Sequence, residues 1–232
     1  MAVINLLSVE FYKLRRQKSV YGVLLILVLL GLIQAFAGAR PITSIDTAVY
    51  SICDTSLVFL ITLAISAYVG NDFSNRTIHN SIKLGYDRKM LVLSKMLPAL
   101  CLAVFLQLAF ALATVIFVGV RYGFSCTIPA GNLILWWFVC LIQCCAAESF
   151  VVLLGFLCKN LSMTMAAGTC FTIVTCNILR NFMDNRFFIF SCFHFAEDYS
   201  YSHLLTALAA AVVVLAGVIY AACAVFKNAE VK

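Results

Sequence analysis

The chain has 232 residues, of which 64% are hydrophobic and only 11% are charged, with a formal net charge of +6. A soluble domain carries about 25% charge, so this sequence cannot make a water-facing surface all round and belongs in a membrane. Its basic residues are spread over short connections rather than gathered on a soluble unit, which excludes a nucleic-acid-binding domain.

The first predicted element is an amphipathic helix over residues 1–19. In INLLSVEFYKLRRQKS, Ile4, Leu7, Phe11 and Leu14 fall on one stripe, while Glu10, Lys13, Arg16 and Gln17 face elsewhere. That pattern suits a helix lying on anionic lipid. Residues 20–232 read as one membrane domain. A bilayer core takes about 20 apolar residues per helix. Six runs come near it: 20–39, 55–71, 96–120, 133–158, 160–179 and 204–226. The expected fold class is therefore an all-α integral membrane protein with six transmembrane helices. The first run ends in AFAGA, small residues of the kind a signal peptidase cuts, but its leader is long and contains Glu10, so a retained helix is expected. Gly31, Ala35 and Ala39 on this helix make a ridge suited to close packing.

Orientation follows from Lys and Arg. If both termini share a side, that side holds Lys13, Arg15, Arg16, Lys18, Arg76, Lys83, Arg88, Lys89, Lys95, Lys159, Lys227 and Lys232; the other holds Arg40, Arg121, Arg180 and Arg186. Twelve against four places both termini in the cytoplasm. Residues 70–95 then form a cytoplasmic connection between spans two and three. A short helix is expected over 74–84, with Phe73, Ile78 and Ile82 sharing an apolar face. Gly85 stands where a left-handed cap would end it, and Asp87 is placed to cap the next helix. Arg88, Lys89 and Lys95 fall at headgroup level. Two punctuated polar elements, in a chain without a soluble domain, point to a docking surface for another subunit; the plainer alternative is anchoring to lipid.

The stretches VEFYKLRRQKS before the first span and GNDFSNRTIHNSIKLGYDRKMLVLSK after the second resemble permease subunits of ABC-2-type transporters, compact six-helix exporters. The second matches a pattern of the form G-x-(D/E)-x-x-x-x-T-x-x-x-x-(L/I)-x-x-G-x-x-R followed by Lys, carried here by Gly70, Asp72, Thr77, Ile82, Gly85, Arg88 and Lys95. Asp87 stands where the family often has Ser, which keeps an N-cap. The resemblance implies that the connection is a coupling helix seated on an ATPase subunit and braced by the N-terminal helix. Its interface would comprise Glu10, Phe11, Lys13, Asp72, Phe73, Arg76, Thr77, Ile78, Ile82, Gly85 and Arg88. It also implies a second copy or a homologous permease as partner. Between the last two spans, the aromatic segment 181–203 would be re-entrant or interfacial, with Phe187, Phe188, Phe190 and Phe193 as an outer gate. The chain has no G-x-x-x-x-G-K-[ST], so it cannot cradle nucleotide phosphates in the P-loop manner. No cofactor is expected on this chain, and ATP and Mg belong to the partner ATPase.

Within the spans, Glu148 is the only acid deep in an apolar run. An ionised carboxylate there costs a few kcal/mol, so it should face the bundle interior or a wet cavity. Cys140, Cys144 and Glu148 share one helical stripe. Glu148, Gln107 and Gln143 are candidates for the translocation path; the alternative is a protonated Glu148 bonded to a neighbouring helix, with the two glutamines bonded between helices. Of the eleven cysteines, most lie in apolar runs as small hydrophobes. Cys126 and Cys192, in polar connections on one predicted side, are the pair topology leaves for a disulfide. His194 and His203 come without the clustered ligands a metal needs, so no metal site is expected.

The function expected is the permease subunit of an ATP-driven exporter in a bacterial cell membrane, with lipid around it and an amphipathic or antimicrobial peptide as cargo. A secondary carrier would show broken helices with charged partners at the midplane. An intramembrane enzyme would show paired acid–base groups. Neither signature is visible in the sequence.

Overall fold

The computed structural model describes residues 2–37, 55–75, 77–124, 130–175 and 201–228. These form eight helices: α1 (Ala2–Arg16), α2 (Lys18–Ala37), α3 (Thr55–Ser74), α4 (Thr77–Lys83), α5 (Arg88–Tyr122), α6 (Ala130–Cys158), α7 (Leu161–Ile173) and α8 (Tyr201–Asn228). The aromatic residues Phe187, Phe188, Phe190 and Phe193, together with Arg76, Cys126 and Cys192, lie outside the described residues.

A chain this apolar becomes helical because each helix satisfies its own backbone hydrogen bonds without water. Among the described residues α3, α5, α6 and α8 are long and apolar enough to cross a membrane, and α1 with α2 make a fifth candidate, bent by 57°. The bend falls at Gln17. Beyond it α2, 20 residues long, reaches about 30 Å, one bilayer core. α7 has 13 residues, about 20 Å, and residues 176–179 of the predicted fifth span are not described. Four or five spans are therefore seen where six were expected.

α3, α5 and α6 pack on one another at the centre; α2 lies against α5, α7 against α3, and α8 against α6 and α5. The expected small-residue ridge serves contacts within the chain. A Cβ on Gly31 would meet the Thr114 hydroxyl at 3.0 Å, and one turn on Ala35 is buried with Val118. α7 comes closer still. A Cβ on Gly70 would lie 2.8 Å from the Leu161 backbone, and one on Gly168 2.7 Å from Ser66 Oγ.

Two boundaries differ from expectation. α3 runs on to Ser74, three residues past the predicted end of the span, because Asp72 is neutralised within the helix and need not leave it. The short connecting helix is α4 rather than 74–84. The chain turns at Asn75, and Ser74 Oγ accepts the Leu161 amide at the start of α7. The punctuation after α4 is as predicted. Gly85 has φ +84°, and Asp87 caps α5, its side chain accepting from the Lys89 amide.

Candidate functional site

One end of the bundle gathers α1, the C-termini of α3, α6 and α8, the N-termini of α5 and α7, and α4. Aromatic rings tie this end together: Phe73 of α3 meets Phe156 of α6 at 5.5 Å, and Phe156 meets Phe226 of α8 at 4.9 Å. Arg88 donates to the carbonyls of Phe226 and Lys227, placing a cation on the last turn of α8, where the helix dipole favours it. The opposite end carries Arg121, which donates to the Ala35 carbonyl at 2.9 Å. Among the described residues the basic side chains thus sort to the two ends as the loop counts predict.

At the centre of the crowded end is an ionic cluster. Lys95 of α5 is buried between two acids and pairs with both Glu10 of α1 and Asp72 of α3. Lys13, one turn after Glu10, pairs with Glu10 at 2.9 Å and lies 3.7 Å from Asp72. Tyr68 donates its hydroxyl to Glu10 at 2.9 Å, and the Lys95 ammonium stands 5.0 Å from the Tyr68 ring centroid. Two acids against two lysines leave no net charge, the condition under which buried ions are tolerated. Burial alone would push the Glu10 carboxyl up; Lys95, and then Lys13, outweigh that and hold it below the usual carboxylate range.

This corrects the expected orientation of α1. Glu10 is 3% exposed and Leu6 is buried, whereas Phe11, Val9 and Tyr12 are exposed. Glu10 turns inward because Lys95 compensates it, Lys13 and Gln17 of the same stripe are half-buried and Arg16 stays exposed, stacked on the exposed Tyr12 at 4.8 Å.

The predicted interface residues fall into two groups. Glu10, Asp72, Phe73 and Ile78 are buried, and Ile82 packs partly buried against the same core; they hold the end together from inside. Phe11 and Gly85 are exposed, while Lys13, Thr77 and Arg88 are half-buried. The outer side of α4 and its cap presents Asn80, Lys83, Leu84 and Gly85, with Leu84 78% exposed. Sequence reasoning missed Leu84, a large apolar residue directly before the cap glycine. It also missed Tyr68 and Thr62, whose partners lie far away in sequence.

The path candidates are all at the core. Gln107, Gln143 and Glu148 are fully buried, on α5 and α6. Glu148 Oε1 is hydrogen-bonded to Thr62 Oγ1 of α3 at 2.9 Å, and Thr62 to Thr172 Oγ1 of α7 at 2.9 Å. Cys140 and Cys144 are buried on the same stripe. The structure therefore ties Glu148 to α3 and, through Thr62, to α7, and leaves the amides of Gln107 and Gln143, expected to bond between helices, without a hydrogen-bond partner.

Comparison with known proteins gives one family. The model described as ABC-2 family transporter protein matches residues 6–178, from α1 through the last described turn of α7. No curated protein matches the chain.

Proposed function

Because the chain belongs to the ABC-2 family of transporter proteins, we propose that it is the permease subunit of an ATP-driven exporter, and that α4 and its cap are the surface on which a separate ATPase subunit acts. The observation that carries this reading is the construction of the charged end. α4, seven residues long, is exposed on its outer side. On its inner side Ile78 is buried, and a narrow cleft there is lined by Glu10, Lys13 and Lys95 of the ionic cluster. A push on α4 therefore reaches α3 and α5 through Ile78 and Ile82, packed into the core, and the buried ion pairs tie those two helices to α1. A two-state membrane domain needs such a connection if ATP binding elsewhere is to bias it.

In the full reading both termini are cytoplasmic, the remainder of 160–179 completes a sixth span, and the segment 181–203 forms the outer gate through Phe187, Phe188, Phe190 and Phe193. A second copy or a homologous permease closes the path, with ATP and Mg held by the ATPase. The protein resides in a bacterial cell membrane, and its cargo is an amphipathic or antimicrobial peptide, which suits the aromatic outer segment.

Co-expression with the P-loop ATPases of neighbouring reading frames, followed by extraction in mild detergent, tests the reading. An ATPase that co-purifies in fixed ratio, and whose turnover rises when the permease is present, is the expected result. If no ATPase is retained from any neighbour, the exporter reading fails and a secondary carrier takes its place.

A further inference from the structure

About 15 Å from the charged end, ten residues before Cys158 along α6, Glu148 lies in a group of hydroxyls that shows what it carries. The contacts run in a line. Glu148 Oε1 meets Thr62 Oγ1 at 2.9 Å, Thr62 Oγ1 meets Thr172 Oγ1 at 2.9 Å, and Thr172 donates to the Gly168 carbonyl at 3.0 Å. Each contact needs one hydrogen, so the line needs three. The two threonines own one each, and a carbonyl owns none. With Glu148 ionised, Thr62 donates to it and Thr172 to Gly168, and the contact between the two threonines has no hydrogen; with Glu148 protonated and the Thr62 hydroxyl turned to donate to Thr172, all three are filled and the line ends on the α7 backbone.

The surroundings agree independently. Glu148 is 0% exposed, and its second oxygen has no hydrogen-bond partner, whereas a buried carboxylate requires several donors or a cation. Among the described residues no cation is paired with it. The elements packed against α6 carry their described charges only near their ends: Asp72 on α3; Arg88, Lys89, Lys95 and Arg121 on α5; and Lys227 on α8, which begins near His203. α7 carries none. The titratable neighbours on α6 itself are the thiols of Cys144, one turn back on the same stripe, and Cys145, and α3 and α7 offer the hydroxyls of Thr62, Ser66 and Thr172.

We infer that Glu148 is a proton-binding site within the membrane domain, and that its proton fastens α6 to α3 and α7 at neutral pH. Opening the bundle enough for water to reach Glu148 would release that proton to water and remove one hydrogen from the line, loosening α3 from α7. These are the same two helices that meet at Gly70 and Leu161 beside α4. The inference concerns the chain itself and does not rest on the exporter reading.

Infrared difference spectroscopy on the full chain in lipid nanodiscs at neutral pH tests it. Subtracting the Glu148→Gln spectrum should leave a protonated-carboxyl C=O band from the wild type, since the ordinary acids are ionised there. Glu148→Gln should itself fold, because its amide N–H can donate to Thr62 as the carboxyl O–H does. Thr62→Val should keep the band and move it to higher frequency as the hydrogen bond is lost, which tests the assignment should Glu148→Gln fail to fold. Absence of a protonated-carboxyl band in the wild type would overturn the inference, as would a band that neither variant changes.

Discussion

At the scale of single residues, the ionic cluster decides how the charged end behaves. Among the described residues Lys95 is the only cation within reach of both buried acids that is itself buried, since Lys13 keeps a third of its side chain in solvent. Lys95→Met leaves Glu10 and Asp72 facing one another, and removing one partner of a buried pair costs about 3–5 kcal/mol. We expect the thermal unfolding midpoint in detergent to fall accordingly. Adding Glu10→Gln should restore part of the loss, so the double variant falls short of the sum of the singles. Acid should act on the same cluster. Glu10 is held below its unfolded value of about 4.5, so its stabilisation is complete above that value and is lost as the pH falls through the lowered one. Stability measured downward from neutral pH should therefore decline only below about 4.5, the unfolded value, and Glu10→Gln should flatten that decline.

At the scale of elements, one close approach before α4 and one left-handed residue after it govern how that helix is held. Gly70 touches the backbone of Leu161, which cannot swing away as a side chain can, so Gly70→Ala should cost about 1–3 kcal/mol through overpacking. The effect should appear as faster proteolysis between α3 and α4. Gly85 has φ +84°, a region costing an L-residue about 1–2 kcal/mol. Leu84 stands on the other side of the ledger: it is 78% exposed and holds nothing within the chain. Leu84→Asp should leave the unfolding midpoint unchanged while weakening ATPase retention by about 2 kcal/mol, the loss expected of a buried interface anchor. This helix and its cap were largely readable from sequence, because Gly85 and Asp87 act on their own backbone and on residues two or three positions away. The orientation of α1 was not. Counting stripes treats Glu10 and Lys13 as outward, yet Lys95, 85 positions along the chain, draws Glu10 in, and Lys13 leans on Glu10 and Asp72. The same holds for Glu148, whose isolation in an apolar run was evident but whose partner Thr62 is 86 positions away.

At the scale of the whole molecule, charge and packing have the same polarity. The basic residues, the buried ion pairs and the exposed helix α4 collect at one end. The described part of the other end has Arg121 fixed to the end of α2. α5 joins the two; its 35 residues extend about 52 Å, well beyond a core of about 30 Å. A displacement at α4 thus has a rigid route inward through α3 and α5. The claim that this route begins at an ATPase is most directly tested by placing a photoreactive residue at Leu84 in one sample and at Val120, also highly exposed but at the opposite end, in another. Both would be irradiated with the co-expressed ATPase present. The account predicts a crosslink to the ATPase from position 84 and none from position 120. Capture at 120, or at neither position in a sample that retains the ATPase, would contradict it.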